Sequence, residues 1–182
     1  MSDSEKDKTQ ESEEKLAERL EHAYEKMLER VRDALEEFDD QTRPRLRQAV
    51  TRARERAVEL GELSREEAEH IGEYIRRDLS EAGDFLSRTG QELRDWLRFD
   101  IELLEARFLD MLMGAADRTR SEIAAMRETG TINFRYHTGE IAGPGTLYCE
   151  NCEHPLTLKR AGHIPPCAHC HGTEFRRPKR AD

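Results

Sequence analysis

The sequence predicts a mainly α fold followed by a small β module, and three observations carry that expectation. Apolar residues recur at steps of three and four from Leu16 to Met126, the spacing of one helix face. At Thr129-Gly130 the period falls to two. Beyond that point all four cysteines of the chain stand in two Cys-x-x-Cys pairs, Cys149-Glu150-Asn151-Cys152 and Cys167-Ala168-His169-Cys170, with fourteen residues between them. Composition agrees: of 182 residues 36% are hydrophobic and 38% charged, against about 45–50% and about 25% in ordinary globular domains. Long helices with narrow apolar stripes suit such a chain better than one deep core.

Residues 1–12 are polar, lack periodicity and read as a disordered leader. The helical domain is expected over 13–130, as about four helices. Leu16, Leu20, Ala23, Met27, Val31, Ala34 and Phe38 mark the first. Asp39-Asp40-Gln41-Thr42 interrupts it, Thr42 can cap the next helix, and Pro44 fits a first turn where its missing N–H does no harm. Leu46, Val50, Ala53, Ala57 and Leu60 mark the second helix, which Gly61 ends as a left-handed terminator. Ser64 and Glu67 form a capping box for the third, along which Ala68, Ile71, Ile75, Leu79, Ala82 and Leu86 share a face. Thr89 with Glu92 repeats the device. The fourth stripe, from Leu93 to Met126, reaches Glu128 and predicts the longest helix. Its Trp96, Phe99, Phe108 and Met111 suit either core or a docking and self-association seam. No strict heptad persists through all four, which argues against one long coiled coil.

Residues 131–182 read as a separate module with a basic tail. Ile132, Phe134 and Tyr136 alternate as in a strand, and turns occur at His137–Glu140 and Gly143–Gly145. Leu156-Thr157-Leu158 predicts a short strand, Arg160–His163 a loop tip and Thr173–Arg176 a closing strand. Each Cys-x-x-Cys pair can turn two thiolates toward one ion, and two pairs complete a tetrahedral sulfur shell. Redox dithiols belong between strand and helix in an α/β context, which is missing here, and disulfides need an oxidising compartment. The reading is therefore one structural Zn2+ held by Cys149, Cys152, Cys167 and Cys170. The whole is an acidic antiparallel helical bundle or extended helical hairpin followed by a small β zinc ribbon.

With these residues the chain resembles a family of uncharacterised bacterial zinc-ribbon-containing proteins, the YbeL-like family. The resemblance rests on Gly61-Glu62-Leu63-Ser64, Arg76-Arg77-Asp78-Leu79, Tyr136-His137-Thr138-Gly139-Glu140, Gly143-x-Gly145, the four cysteines and Phe175-x-Arg177-Pro178. It implies a helical amino-terminal part joined to a ribbon in a bacterial cytosolic protein, and it implies no activity. One departure is Ala168 and His171 where such knuckles commonly carry Pro and Gly.

Four protein ligands leave zinc no open position, so it should build structure and not activate water. His137, His154, His163, His169 and His171 crowd the ribbon and read as exposed imidazoles or neighbours of the ligands. No phosphate-cradling loop, nucleophile elbow or His-Glu-x-x-His helix occurs, so no enzyme is expected. Residues 1–130 carry 23 Lys plus Arg against 34 Asp plus Glu, a net of −11, while 131–182 carry 7 against 5, a net of +2. The acidic part disfavours duplex binding by the whole chain. Two functions remain: an adaptor whose partner is a protein, with self-association possible through the helices, and a nucleic-acid or transcription-machinery accessory. The second would use Lys159, Arg160, Arg176, Arg177, Lys179 and Arg180 beside Tyr136, Tyr148 and Phe175. In outline, acidic helices ahead of a four-cysteine finger also resemble the DksA-like regulators of bacterial RNA polymerase. No membrane contact is expected, and reduced thiols point to the cytoplasm.

Overall fold

The computed structural model describes residues 3–37, 45–89, 114–116, 119, 123 and 134–177. Three helices open the chain: α1 (Asp3–Glu37), α2 (Arg45–Glu59) and α3 (Arg65–Thr89). Helix α1 takes in residues 3–12, the stretch that polar composition assigns to a leader. That stretch is rich in Glu and Lys, good helix formers, and has no Gly or Pro to stop a helix. Thr89, expected to cap the fourth helix, is the last residue of α3, and Glu92, the Asp39–Thr42 turn, Pro44 and Trp96, Phe99, Phe108 and Met111 lie outside the described residues. So does most of the expected fourth helix, of which residues 114–116, 119 and 123 are helical. Among the described residues no helix is long and apolar enough to cross a membrane.

The helical stripes meet in one core. Tyr24, Met27, Leu28, Val31 and Leu35 of α1 pack with Leu46, Val50, Ala53 and Ala57 of α2, and with Ile71, Ile75 and Leu79 of α3. The buried face of α1 keeps Met27, Val31 and Ala34 of the stripe its spacing suggests and widens to Tyr24, Leu28 and Leu35, while Leu16 is 48% exposed. Helix α2 carries five arginines and two glutamates, so a basic helix packs against two acidic ones. Arg54 reaches Glu69 of α3 at 3.4 Å. Gly83 of α3 admits the fourth segment closely, because a Cβ there would lie 2.4 Å from Ile123 Cδ1.

The α2–α3 link is built by its own sequence. Gly61 (φ +66°) lets Glu62 N–H bond Ala57 O at 3.0 Å and Gly61 N–H bond Val58 O at 3.0 Å. These two bonds form a Schellman stop. Three residues on, Ser64 N–H donates to Glu67 Oε2 at 2.8 Å and Glu67 N–H to Ser64 Oγ at 3.2 Å, the expected capping box. The Ser64 amide, then Arg19, hold the Glu67 carboxyl below its usual pKa. Glu62 accepts both Nη atoms of Arg30 at 2.7 and 3.0 Å. Such surface pairs contribute about 0–1 kcal/mol each, so they orient α1 on the link more than they stabilise it.

Among the described residues six short strands follow the helices: β1 (Tyr136–His137), β2 (Ile141–Ala142), β3 (Gly145–Cys149), β4 (Pro155–Leu158), β5 (Gly162–His163) and β6 (Glu174–Arg176). An antiparallel sheet has the order β1-β6-β3-β4, and β2 pairs with β5. Tyr136, Leu147, Ile164 and Phe175 fill a small second core with Cys149 and Cys167. The Arg160–His163 segment is not a free tip. Its Gly162 and His163 form β5, and Ala161, with Ile141 of β2, is buried in the helical core.

Candidate metal centre

The two cysteine pairs are copies of one local structure. In the first, Glu153 N–H bonds Cys149 O at 2.9 Å and Cys149 N–H bonds His154 O at 3.1 Å. In the second, His171 N–H bonds Cys167 O and Cys167 N–H bonds Gly172 O, both at 2.9 Å. These turns aim all four sulfurs at one point: the Sγ atoms lie within 4.8 Å of one another, with Cys149–Cys170 and Cys152–Cys167 at 3.6 Å. Four sulfurs about 2.3 Å from a tetrahedral zinc would be about 3.8 Å apart, so the residues fit the ion.

The surrounding backbone favours thiolate. The Cys170 amide, then the His169 amide, hold the Cys167 thiol down to about 6 against the cost of burial. Cys152 receives the His154 amide, but burial and the three other thiols outweigh it and push its pKa up to about 12. Crowded thiols cannot all ionise unaided, and a bound dication would supply the missing charge.

The unusual residues of the knuckles have a structural account. Glu153 (φ 59°) and His171 (φ 56°) occupy the left-handed position after the second cysteine of each pair, where a glycine would be unstrained. Gly172, one place later, is needed for space: a Cβ there would sit 3.1 Å from Cys149 Sγ and 3.2 Å from Cys170 Sγ. We therefore expect His171→Gly to stabilise the zinc-loaded protein by about 0.5–1 kcal/mol, read from urea midpoints. A loss of stability would disprove this account of the turn. Among the described residues the four cysteines are the group able to hold a metal. His154 and His169 are exposed beside it and stack at 5.6 Å between centroids. His137 and His163 instead pair with Glu140 at 3.3 Å and Glu21 at 3.5 Å.

Next to the ribbon lies a buried polar junction with the helices. Asp78 of α3, 1% exposed, accepts Tyr24 Oη at 2.7 Å, Gly143 N–H at 2.7 Å and Arg77 Nε at 3.1 Å. Arg77 also donates to Ile141 O at 3.0 Å, pairs with Glu140 and stacks 3.8 Å from the Tyr136 centroid. From the ribbon side Arg177 donates to Pro144 O at 3.0 Å and Gly143 O at 2.9 Å. Tyr136 Oη donates to Glu81 of α3. Burial disfavours the charge on Arg77, yet Asp78, then Tyr136 and Glu140, outweigh it and its pKa is raised. A second tie joins Glu21 of α1 to His163 N–H at 3.3 Å.

Glu81 is the titratable hinge of this junction. Burial pushes its carboxyl up to about 7 despite the opposing pull of Arg177, so the folded state holds a proton that the unfolded chain releases near 4.5. Its contribution is full below the unfolded value and fades as pH rises through about 7. Between pH 8 and 6 the protein should gain about 1 kcal/mol, and Glu81→Gln should flatten that slope in urea unfolding. An unchanged slope would remove Glu81 as its source.

The junction reassigns part of the basic patch. Arg177 is 2% exposed and held inside the protein, so it offers no external contact. Arg176 keeps 14% of its side chain exposed, against Glu150 at 3.6 Å and Glu153. Tyr136 and Phe175 are wholly buried, so they are core and not stacking platforms. Lys159 and Arg160 are exposed, and Lys179 and Arg180 lie outside the described residues. Sequence reasoning missed the junction as a unit. Its signal was Asp78, a charge three residues after Ile75 and four before Ala82 on an otherwise apolar stripe.

Four cysteines gathered around one point beside a small antiparallel sheet define a zinc-ribbon protein. A family model described as a zinc-ribbon containing domain matches residues 33–179, and the chain belongs to that family. No curated protein and no solved structure matches the chain. The matched span takes in α2, α3, the ribbon and all the junction residues except Glu21 and Tyr24.

Proposed function

We propose that this protein is a non-enzymatic adaptor that binds another protein, with its helices as a bundle that supplies the docking face and its ribbon as a rigid second surface. The observation that carries this reading is where the reactive groups go. The cysteine sulfurs surround one point, and Arg77, Asp78, Tyr136 and Arg177 bond one another, Glu81 and the ribbon backbone between α3 and the ribbon. Polar clusters of that kind elsewhere do catalysis from an open pocket; here they join two parts of one chain. A bacterial cytosolic setting, where thiols stay reduced, and a YbeL-like place within the family complete the proposal. Affinity capture of the full chain from such a cytosol, with and without nuclease, tests it. Partners that persist after nuclease support the adaptor, and self-association is tested by sedimentation.

A second reading, a nucleic-acid or transcription-machinery accessory, is favoured by one observation: Lys159 and Arg160 are exposed together at the turn between β4 and β5. Phosphate contacts by these two would make single-strand binding fall with salt, and Lys159→Glu with Arg160→Glu would abolish it. Partners lost on nuclease treatment would move the weight here.

A further inference from the structure

The metal site and the junction share strands. Cys149, at the end of β3, faces Phe175 of β6 in register, and Arg177 stands two residues later to grip Gly143 and Pro144 just ahead of β3. Tyr136 faces Phe175 on the other side of β6 and reaches Glu81 of α3. Gly143 N–H, in turn, is fixed by Asp78. Arg77 of α3 also holds Ile141 O of β2 and Glu140 just before it, so the ribbon groups that grip α3 are placed by β1, β2 and the chain just ahead of β3, which Arg177 beyond β6 ties in, and these strands are too small to hold their register alone.

We propose that the ribbon is a zinc-set latch: metal occupancy at the four cysteines and docking on α3 stabilise each other, so loss of zinc frees the faces of α1 and α3 that the ribbon covers. This goes beyond the adaptor reading and does not depend on it. Linkage requires the effect to be reciprocal, and couplings of this kind change affinity by about 5–150-fold. The groups that transmit it are Asp78, Tyr24 and Glu81 on the helices, none of which touches a cysteine in the bonds described.

The test uses the full chain, with Zn2+ alone as ligand and a colorimetric chelator as competitor. Asp78→Asn is expected to weaken zinc binding about tenfold, within the range above, and Tyr24→Phe to weaken it less. Ser64→Ala, which loosens the start of α3 away from the junction, should leave it unchanged. In the wild type, chelation should remove hydrogen-exchange protection from Ile75–Asp84 of α3 as well as from the ribbon, and spare α2. If Asp78→Asn does not fold, Tyr24→Phe and the wild-type exchange decide the matter. The latch is overturned if the folded junction variants bind zinc like wild type, if Ser64→Ala weakens binding as much as they do, or if α3 protection is the same with and without metal.

Discussion

Chelating the metal, or replacing Cys149 by Ser, is expected to unfold the chain from Tyr136 to Arg177. Cys149 is fully buried, it is both expected ligand and strand residue, and among the described residues the buried members of its core are Tyr136, Ala142, Leu147, Ile164, Cys167 and Phe175. A core of that size cannot offset the entropy of ordering the segment. Structural zinc contributes about 10–16 kcal/mol in comparable modules, more than the whole stability of many domains. Amide spectra recorded with the zinc content should show dispersed ribbon signals only in the loaded protein. Dispersed signals from a fully chelated chain would show that the sheet stands without metal.

Asp78→Ala is expected to destabilise the zinc-loaded protein by about 3–5 kcal/mol, the cost of stranding a buried charge. It would leave Arg77 without its nearest carboxylate, and Tyr24 Oη and Gly143 N–H without an acceptor. Neighbouring Arg76 supplies the control. It pairs with Glu73 at 2.7 Å with 39% of its side chain exposed, so Arg76→Ala should change stability by less than about 1 kcal/mol. Urea denaturation of both variants decides, and an Asp78→Ala cost under 1 kcal/mol would mean that water or relaxation replaces the lost bonds.

The metal site and the junction differ in how far the sequence reveals them. The cysteine spacing alone names the ligands, because a Cys-x-x-Cys turn is built from its own backbone bonds and needs no distant partner. The same holds for the Gly61 stop and the Ser64–Glu67 box, whose partners lie within five residues. The knuckle turns were less legible, since Glu153 and His171 stand at positive φ without the glycine that usually announces it. The resemblance motifs were legible as residues but not as a site. Arg77-Asp78, Tyr136–Glu140, Gly143 and Arg177 come from distant parts of the chain, and only their meeting explains them.

The sequence by itself therefore determined α2, α3 and the gathering of the four cysteines, all set by local period, caps and spacing. Tertiary structure alone decided which charges face water. Arg76 and Arg77 are adjacent, yet Arg76 keeps 39% of its side chain exposed and Arg77 9%; of the adjacent Arg176 and Arg177, the second is the deeper, at 2% exposed. What separates them is the element that packs on each: Glu140 reaches Arg77 from 63 residues away, and Pro144 reaches Arg177 from 33. Desolvation is a property of that contact, and no window of local sequence contains it.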